Sequence, residues 1–213
     1  MQIQAIIENN KKLWASSEYR SMVFGGLIFF GISTLINHGA SLYANYAAGS
    51  YVPDLLLDHL PVVDVDGLLN YGAVIFAIFI IGCMFYRPKS IPFVLKSLAF
   101  FIVIRAAFIT LTHLGPDPSQ APIDADKLLS RLILGNDFFF SGHTGLPFLL
   151  ALIYWQDKLA RYVSLFFTVL FANLVIFGHL HYSIDVAAAF FIAHSIFHLA
   201  KKLFNREYAI FSV

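Results

Sequence analysis

Two histidines and an aspartate stand at spacings that suit nucleophilic attack and proton transfer. The stretch NDFFFSGHTGLPFLLALIYW, residues 136–155, carries His143 in a polar cluster at its start. The stretch GHLHYSIDVAAAFF, residues 178–191, places His181 four residues before Asp185, so on a helix the two side chains share a face. A carboxylate on one imidazole nitrogen fixes the tautomer and leaves the other nitrogen able to attack or to accept a proton.

A phosphoryl group suits such a site. Its transfer needs an in-line nucleophile, an acid for the leaving oxygen and cationic or N–H donors for the equatorial oxygens. His143 can be the proton-transfer group, and Arg105 is the candidate donor because its planar fork matches phosphate geometry. Ser141 and Thr144 add hydroxyls around His143, and Gly142 lets the backbone approach a ligand. Asp137 is either the N-cap of a helix or a substrate contact.

The composition assigns these residues to a membrane protein. The 213 residues are 59% hydrophobic and 13% charged, whereas soluble domains are about 45–50% apolar and about 25% charged. The net charge of +1 excludes a strongly basic nucleic-acid binder, so no nucleic-acid partner is expected. The single cysteine, Cys83, excludes a disulfide framework and a thiolate metal cluster.

Six apolar runs are long enough to cross a bilayer, which needs about 20 residues each. The predicted fold is therefore all-α, an integral membrane protein with six transmembrane helices in one domain, residues 1–213. The N-terminus lacks the pattern of a cleavable signal peptide, so the first run is expected to be a retained helix. The predicted spans are 21–44, 68–86, 91–113, 138–155, 161–179 and 183–204.

The basic residues give the orientation, because cytoplasmic loops collect lysine and arginine. Eleven of the 14 lie on one side of these spans, and the opposite loops are acidic. Both termini are therefore predicted to be cytoplasmic, which puts His143, His181 and Asp185 near the outer interface. Arg105 lies inside the third span, about two-thirds of the way towards the same face. Ionisable residues at membrane depth mark a functional site by default.

The residues around this site resemble a known family. SGHT and HYSID resemble the third and fourth signature motifs of the sphingomyelin synthase family, in the lipid-phosphate phosphatase superfamily. VPDLLLDHLP, residues 52–61, looks like the first motif, and IRAAFITLTHLGPDP, residues 104–118, looks like the second, with Arg105 at its arginine. Four motifs in the right order across six spans cover most of the chain.

The resemblance implies a lipid-phosphate phosphatase-like helical bundle with a His-His-Asp triad. His181 would be the nucleophile that forms a phosphohistidine, Asp185 its orienter, and His143 the acid that protonates the leaving alcohol. The family transfers a phospho-headgroup from a glycerophospholipid to ceramide on the exoplasmic face, without metal or other cofactor. The expected substrate-binding residues are Arg105, Asp137, Ser141, Gly142, Thr144 and Tyr182.

Departures from the wider superfamily refine this expectation. Its Lys-x6-Arg-Pro motif would need a lysine where Ile80 stands, and its arginine six residues before the nucleophile is replaced by Val175. Both differences favour the synthase-like branch over a phosphatidate phosphatase. The chain is shorter than animal synthases, which suggests a bacterial version in the inner membrane with a periplasmic site. A homodimer is compatible with this prediction.

Several alternatives stay open from the sequence. The acceptor is ceramide, diacylglycerol or water, and water would make the protein a phospholipase C-like or phosphatidate phosphatase hydrolase. A lipid transporter or scramblase would use the polar cavity only for binding. A metal site joining His194 and His198 to His181 is disfavoured, because 13 helical residues span about 20 Å. His38 and His59 are expected to be interfacial, and the acidic outer loops weakly favour a cationic headgroup.

Overall fold

The computed structural model describes residues 2–121 and 138–212, which form helices joined by turns and loops. A single 3₁₀ turn, Pro88–Ser90, leads into the fourth helix. The helices are α1 (Gln2–Ala15), α2 (Ser17–Tyr46), α3 (Asp66–Tyr86), α4 (Ile91–Leu111), α5 (Gly142–Ile153), α6 (Lys158–Phe177), α7 (Ser183–Leu203) and α8 (Asn205–Ser212).

Five of these helices are long and apolar enough to cross a membrane: α2, α3, α4 with its preceding 3₁₀ turn, α6 and α7. They correspond to five of the six predicted spans, with boundaries that differ by up to four residues. Short polar side chains set two of the starts. Ser16 separates α1 from α2 and accepts a hydrogen bond from the Tyr19 amide, and Asp157 accepts one from the Ala160 amide at the start of α6. Only residues 154–157 separate α5 from α6.

The fourth predicted span, 138–155, is not confirmed. Its helix, α5, has 12 residues, a length of about 18 Å against a hydrocarbon core of about 30 Å. The apolar run continues through Phe138–Phe140, but these residues are not helical. Phe139 and Phe140 have φ values of 97° and 36°. This left-handed backbone keeps the two residues out of the helix, which begins at Gly142 after its N-cap, Ser141.

The packing fixes the directions of the helices around the site. Gly26 of α2 lies against Leu95 of α4, and Asn37 of α2 accepts a hydrogen bond from Arg105 further along α4, so these helices run parallel. Close contacts also join α4 to α5 in the antiparallel sense, because Gly142 meets Arg105 whereas Gly145 meets the ring of Phe101. The glycines allow these approaches, since an added Cβ would lie 3.0–3.1 Å from the facing side chains.

Polar contacts mark two ends of the bundle. Arg105 and the start of α5 lie at one end. At the other end, the Ser90 hydroxyl lies 2.8 Å from that of Tyr154, and Lys96 pairs with Glu207 of α8. The α1 side chain Asn10 donates to the Phe85 carbonyl at this second end. Both terminal helices therefore lie at the end opposite Arg105, while the side of the membrane that it faces stays a prediction from the charges.

Candidate active site

His181 and Asp185 form a buried pair just before and within the first turn of α7. His181 Nδ1 lies 3.1 Å from Asp185 Oδ2, and the Tyr182 amide donates to the same oxygen at 3.1 Å. A carboxylate accepts, so Nδ1 carries the proton and His181 Nε2 carries the lone pair. The helix begins only at Ser183. The pairing was predicted from a shared helix face, but Asp185 instead reaches back over the helix start to His181 in the preceding turn.

His143 lies on α5, at the same end of the bundle as Asp185. The helix α5 runs beside α7 in the same direction. The Ser141 amide donates to the Asp185 carbonyl at 3.1 Å. One turn further along both helices, an added Cβ on Gly145 would lie 3.6 Å from Ala189 Cβ. Because both helices start together and run in the same direction, His143 in the first turn of α5 and Asp185 in the first turn of α7 stand at the same depth. The half-buried His143 ring lies against Phe171 of α6, with centroids 6.2 Å apart.

Arg105 lies directly against the first residue of α5. A Cβ placed on Gly142 would lie 3.1 Å from Arg105 Nε and 3.7 Å from Cζ. The Nη1 group donates to Asn37 Oδ1 at 3.3 Å, which holds the guanidinium between α2 and α5. The first amides of a helix have no intrahelical acceptor and attract anions. A guanidinium beside them adds charge-assisted donors of the kind that bind a phosphate.

We expect Gly142→Ala to lower kcat/KM by about tenfold. The added methyl group would push the guanidinium of Arg105 by a few tenths of an ångström, and misplacing a catalytic group by about 1 Å can cost about 100-fold in rate. Turnover of a lipid phosphate by the purified protein is the measurement. Gly39→Ala on α2 is the matched control, since its added Cβ would meet no atom within 4 Å. Equal activity of the two variants would show that the Arg105 position does not matter.

Part of the chain is similar to a known protein family. Residues 135–202 match the family described as PAP2 superfamily C-terminal. This segment contains His143, His181 and Asp185. The match supports the lipid-phosphate phosphatase and phosphotransferase superfamily, and with it an enzyme of the membrane that acts on lipid phosphates. No curated protein and no solved structure matches the chain.

Within this PAP2 segment, the hydroxyls expected to bind substrate are used in the fold. Thr144 is buried, and its Oγ1 donates to Ser141 Oγ at 3.3 Å, while Ser141 Oγ also accepts from the Thr144 amide. The Tyr182 hydroxyl donates to the Gly115 carbonyl at 2.7 Å and accepts from the Val52 amide at 3.1 Å. The hydroxyls of Ser141, Thr144 and Tyr182 are therefore engaged in hydrogen bonds that stabilise the fold. Asp137 lies outside the described residues.

Asp54 belongs to the acidic outer loops that were expected to favour a cationic headgroup. It is buried, and Oδ2 accepts from both the amide and the hydroxyl of Ser183 at 2.8 Å. Its Oδ1 accepts from the amides of Leu56 and Leu57. Asp54 therefore links the 47–65 loop to the start of α7, and both of its carboxylate oxygens accept hydrogen bonds within the protein. Burial raises the pKa of Asp54, but these hydrogen bonds outweigh it and the net pKa lies below the usual value.

We expect Asp54→Ala to destabilise the protein by about 0.5–2 kcal/mol at pH 7, the usual range for losing a helix cap. Because the folded pKa lies below the unfolded value of about 3.9, the stabilisation is present above that pH and disappears as the pH falls through the folded pKa. Thermal unfolding in detergent from pH 7 to pH 3 tests this. Asp54→Asn should keep part of the stability and lose the pH dependence. If the difference in unfolding temperature between wild type and Asp54→Ala were the same at pH 7 and at pH 3, this expectation would be contradicted.

His179 lies two residues before His181, in the turn that leads into α7. It is 3% exposed and has a φ of 52°, which is strained for a residue with a side chain. Its Nδ1 lies 3.0 Å from Asp117 Oδ2 and 3.0 Å from Ser119 Oγ. Burial raises the pKa of Asp117, but hydrogen bonds from Ser119 and His179 outweigh it and lower the net pKa. The pair holds the turn that carries His181, and the His-x-His pattern of GHLH was the available signal.

His194 and His198 contact each other rather than the site. Their Nε2 atoms lie 3.1 Å apart, and His194 stands nine residues beyond Asp185 on α7, a rise of about 14 Å. Within the two described ranges, no group of three or more histidine, cysteine and acidic side chains could hold a metal ion. His38 and His59 lie on α2 and in the 47–65 loop, and His59 is exposed with Nδ1 3.0 Å from the Leu55 carbonyl.

Proposed function

We propose that the protein transfers a phospho-headgroup from a glycerophospholipid to ceramide or another lipid alcohol through a phosphohistidine on His181. The observation that carries this proposal is the buried His181–Asp185 hydrogen bond at 3.1 Å, next to the start of α5. It leaves His181 Nε2 as the nucleophilic nitrogen. A binding protein would have no need for a carboxylate that fixes the imidazole tautomer.

In the first step, His181 Nε2 attacks the phosphorus of the donor lipid. The N–P bond forms as the bond from phosphorus to the diacylglycerol oxygen breaks, and His143 in its protonated form gives a proton to that oxygen. Asp185 stabilises the positive charge that develops on His181. Arg105 and the first amides of α5 stabilise the equatorial oxygens.

In the second step, His143 is neutral and accepts the proton of the acceptor hydroxyl. The acceptor oxygen attacks phosphorus from the side opposite His181, the N–P bond breaks, and His181 returns to its starting state. Each step moves one proton through His143 and none through Asp185. A lipid alcohol gives a transferase, and water gives a hydrolase.

Hydrolysis is the second candidate, because the PAP2 match extends to phosphatases as well as phosphotransferases. The residues around the triad do not distinguish a lipid hydroxyl from water as the second nucleophile. We propose the transferase on the four motifs of the sequence. The same resemblance and the acidic loops around the site support a location on the exoplasmic face, periplasmic in a bacterium.

Product analysis tests the proposal. Purified wild type and His181→Ala would be incubated with fluorescent-tailed phosphatidylcholine or phosphatidylethanolamine, with and without ceramide, and the lipids separated. We expect labelled diacylglycerol only with ceramide, together with a new phosphosphingolipid. Diacylglycerol formed without ceramide would establish the hydrolase instead. Equal product from His181→Ala, or no product from either donor, would reject the phosphohistidine and favour a lipid transporter or scramblase.

A further inference from the structure

A second concave site lies at the end of the bundle opposite the histidines. Its cavity measures about 510 Å³, within the range of about 300–1,000 Å³ that is usual for ligand pockets. It lies where the turn between α5 and α6 meets the last turns of α7 and the C-terminal helix α8. The charged and aromatic side chains of the lining include Arg87, Tyr154, Trp155, Asp157, Lys201 and Tyr208. None of them belongs to the proposed active site.

Among the residues that the structure describes, the lining carries one positive charge, Lys201, that no acid neutralises. Asp157 pairs with Arg87 at 2.8 Å, and its other oxygen accepts from the Ala160 amide at the start of α6. Lys201 has no carboxylate within ion-pair distance among the residues that the structure describes. Its Nζ instead lies over the rings of Phe197 and Tyr208, 5.1 and 5.3 Å from their centroids. The ammonium is thus held against the aromatic wall with its donors available.

The rest of the lining is amphipathic. Leu152, Ile153 and Phe211 give an apolar floor, while Trp155 and Tyr208 are side chains that favour the boundary between hydrocarbon and water. Lys201 stands two residues before the end of α7, so the charged rim lies at the depth of lipid headgroups. Basic pockets between helices at this depth bind anionic headgroups.

We propose that this cavity binds a phosphate-bearing anion, with the phosphate at Lys201 and Arg87 and any attached chain on the apolar floor. The chemistry fits the headgroup of an anionic phospholipid and also a small soluble phosphate ester. The site is separate from the triad, so it would be occupied whether or not the protein transfers headgroups.

Adjacent lysines allow a matched test. Lys201 lines the cavity, whereas Lys202 is exposed at the same end and does not. Each would be changed to glutamine in the His181→Ala background, which removes turnover, and the detergent-purified full chains would be titrated with short-chain phosphatidylglycerol and phosphatidylcholine by native mass spectrometry. We expect Lys201→Gln to weaken phosphatidylglycerol binding about tenfold, the value of one charge-assisted hydrogen bond, and Lys202→Gln to leave it unchanged.

Further arms identify the source of the phosphate. Glycerol phosphate that displaces phosphatidylglycerol at similar concentration would assign a soluble ester, and no displacement would assign the lipid. Lys201→Arg should keep the binding, which separates charge from a folding defect. Equal weakening by Lys201→Gln and Lys202→Gln, or equal binding of the two lipids by the parent protein, would overturn the proposal.

Discussion

His181→Ala will lower turnover by about 10⁴-fold or more while the helical bundle stays intact. Without the imidazole no N–P bond can form, and the remaining groups can only bind the substrate; loss of a nucleophile in other covalent enzymes has effects of this size or larger. The measurement is kcat with a fluorescent phospholipid. A second measurement uses a donor radiolabelled in its headgroup phosphate. After rapid quenching at alkaline pH, the label should stay on wild-type protein and be absent from the variant.

His59→Ala is the control for this experiment. His59 is exposed in the 47–65 loop, at the same end of the molecule, and its removal should leave both turnover and labelling unchanged. Thermal unfolding of the three proteins would separate a chemical defect from a structural one. A His181→Ala protein that still accumulates label would move the nucleophile to another residue, with His143 the first to examine.

Asp185→Asn will lower kcat by about 10³–10⁴-fold with little change in KM. The aspartate is fully buried, and asparagine has nearly the same volume, so the fold should persist. The amide oxygen can still accept from the Tyr182 amide, but the charge that stabilises the His181 cation in the transition state is gone. A neutral replacement at the equivalent position of a serine protease triad costs about 10⁴-fold.

The kcat and KM values must be separated to support this role. A residue that acts only through its partner's orientation and charge lowers kcat, whereas a distorted binding site raises KM. Asp58→Asn is the matched control, because Asp58 is exposed at the same end and accepts from the Tyr51 hydroxyl and the Asp54 amide. If Asp185→Asn retained more than about a tenth of wild-type kcat, the carboxylate would have no part in the chemistry.

The sequence predicted the pairing of His181 with Asp185 from their four-residue spacing, and it predicted the depth of Arg105 because few polar side chains interrupt its apolar runs. A polar group inside an apolar helix is costly, so its depth can be counted from the ends of the span. That count put Arg105 at the level of His143, and the structure places it against Gly142. The length of such runs also predicted the five long helices.

The loops could not be predicted in the same way. Asp54 binds Ser183, 129 residues away, and no local pattern encodes a contact across that distance. The start of α5 was missed for a related reason. Phenylalanine rarely adopts positive φ, so the hydrophobic run gave no sign that Phe139 and Phe140 leave the helix before Ser141.

The hydrogen bonds that hold the turn before α7 also bear on the order in which the protein is synthesised. Asp117 holds His179 over a separation of 62 residues, and Gly115 holds Tyr182 over 67. These partners, like Val52 and Asp54, are synthesised before the turn itself, and α7 follows it. The ribosome therefore delivers His181, the proposed nucleophile, after α1 to α6 and the loops between them. A chain arrested before α7 would keep its earlier helices but lack Asp185, so the proposed chemistry cannot begin until α7 has been made.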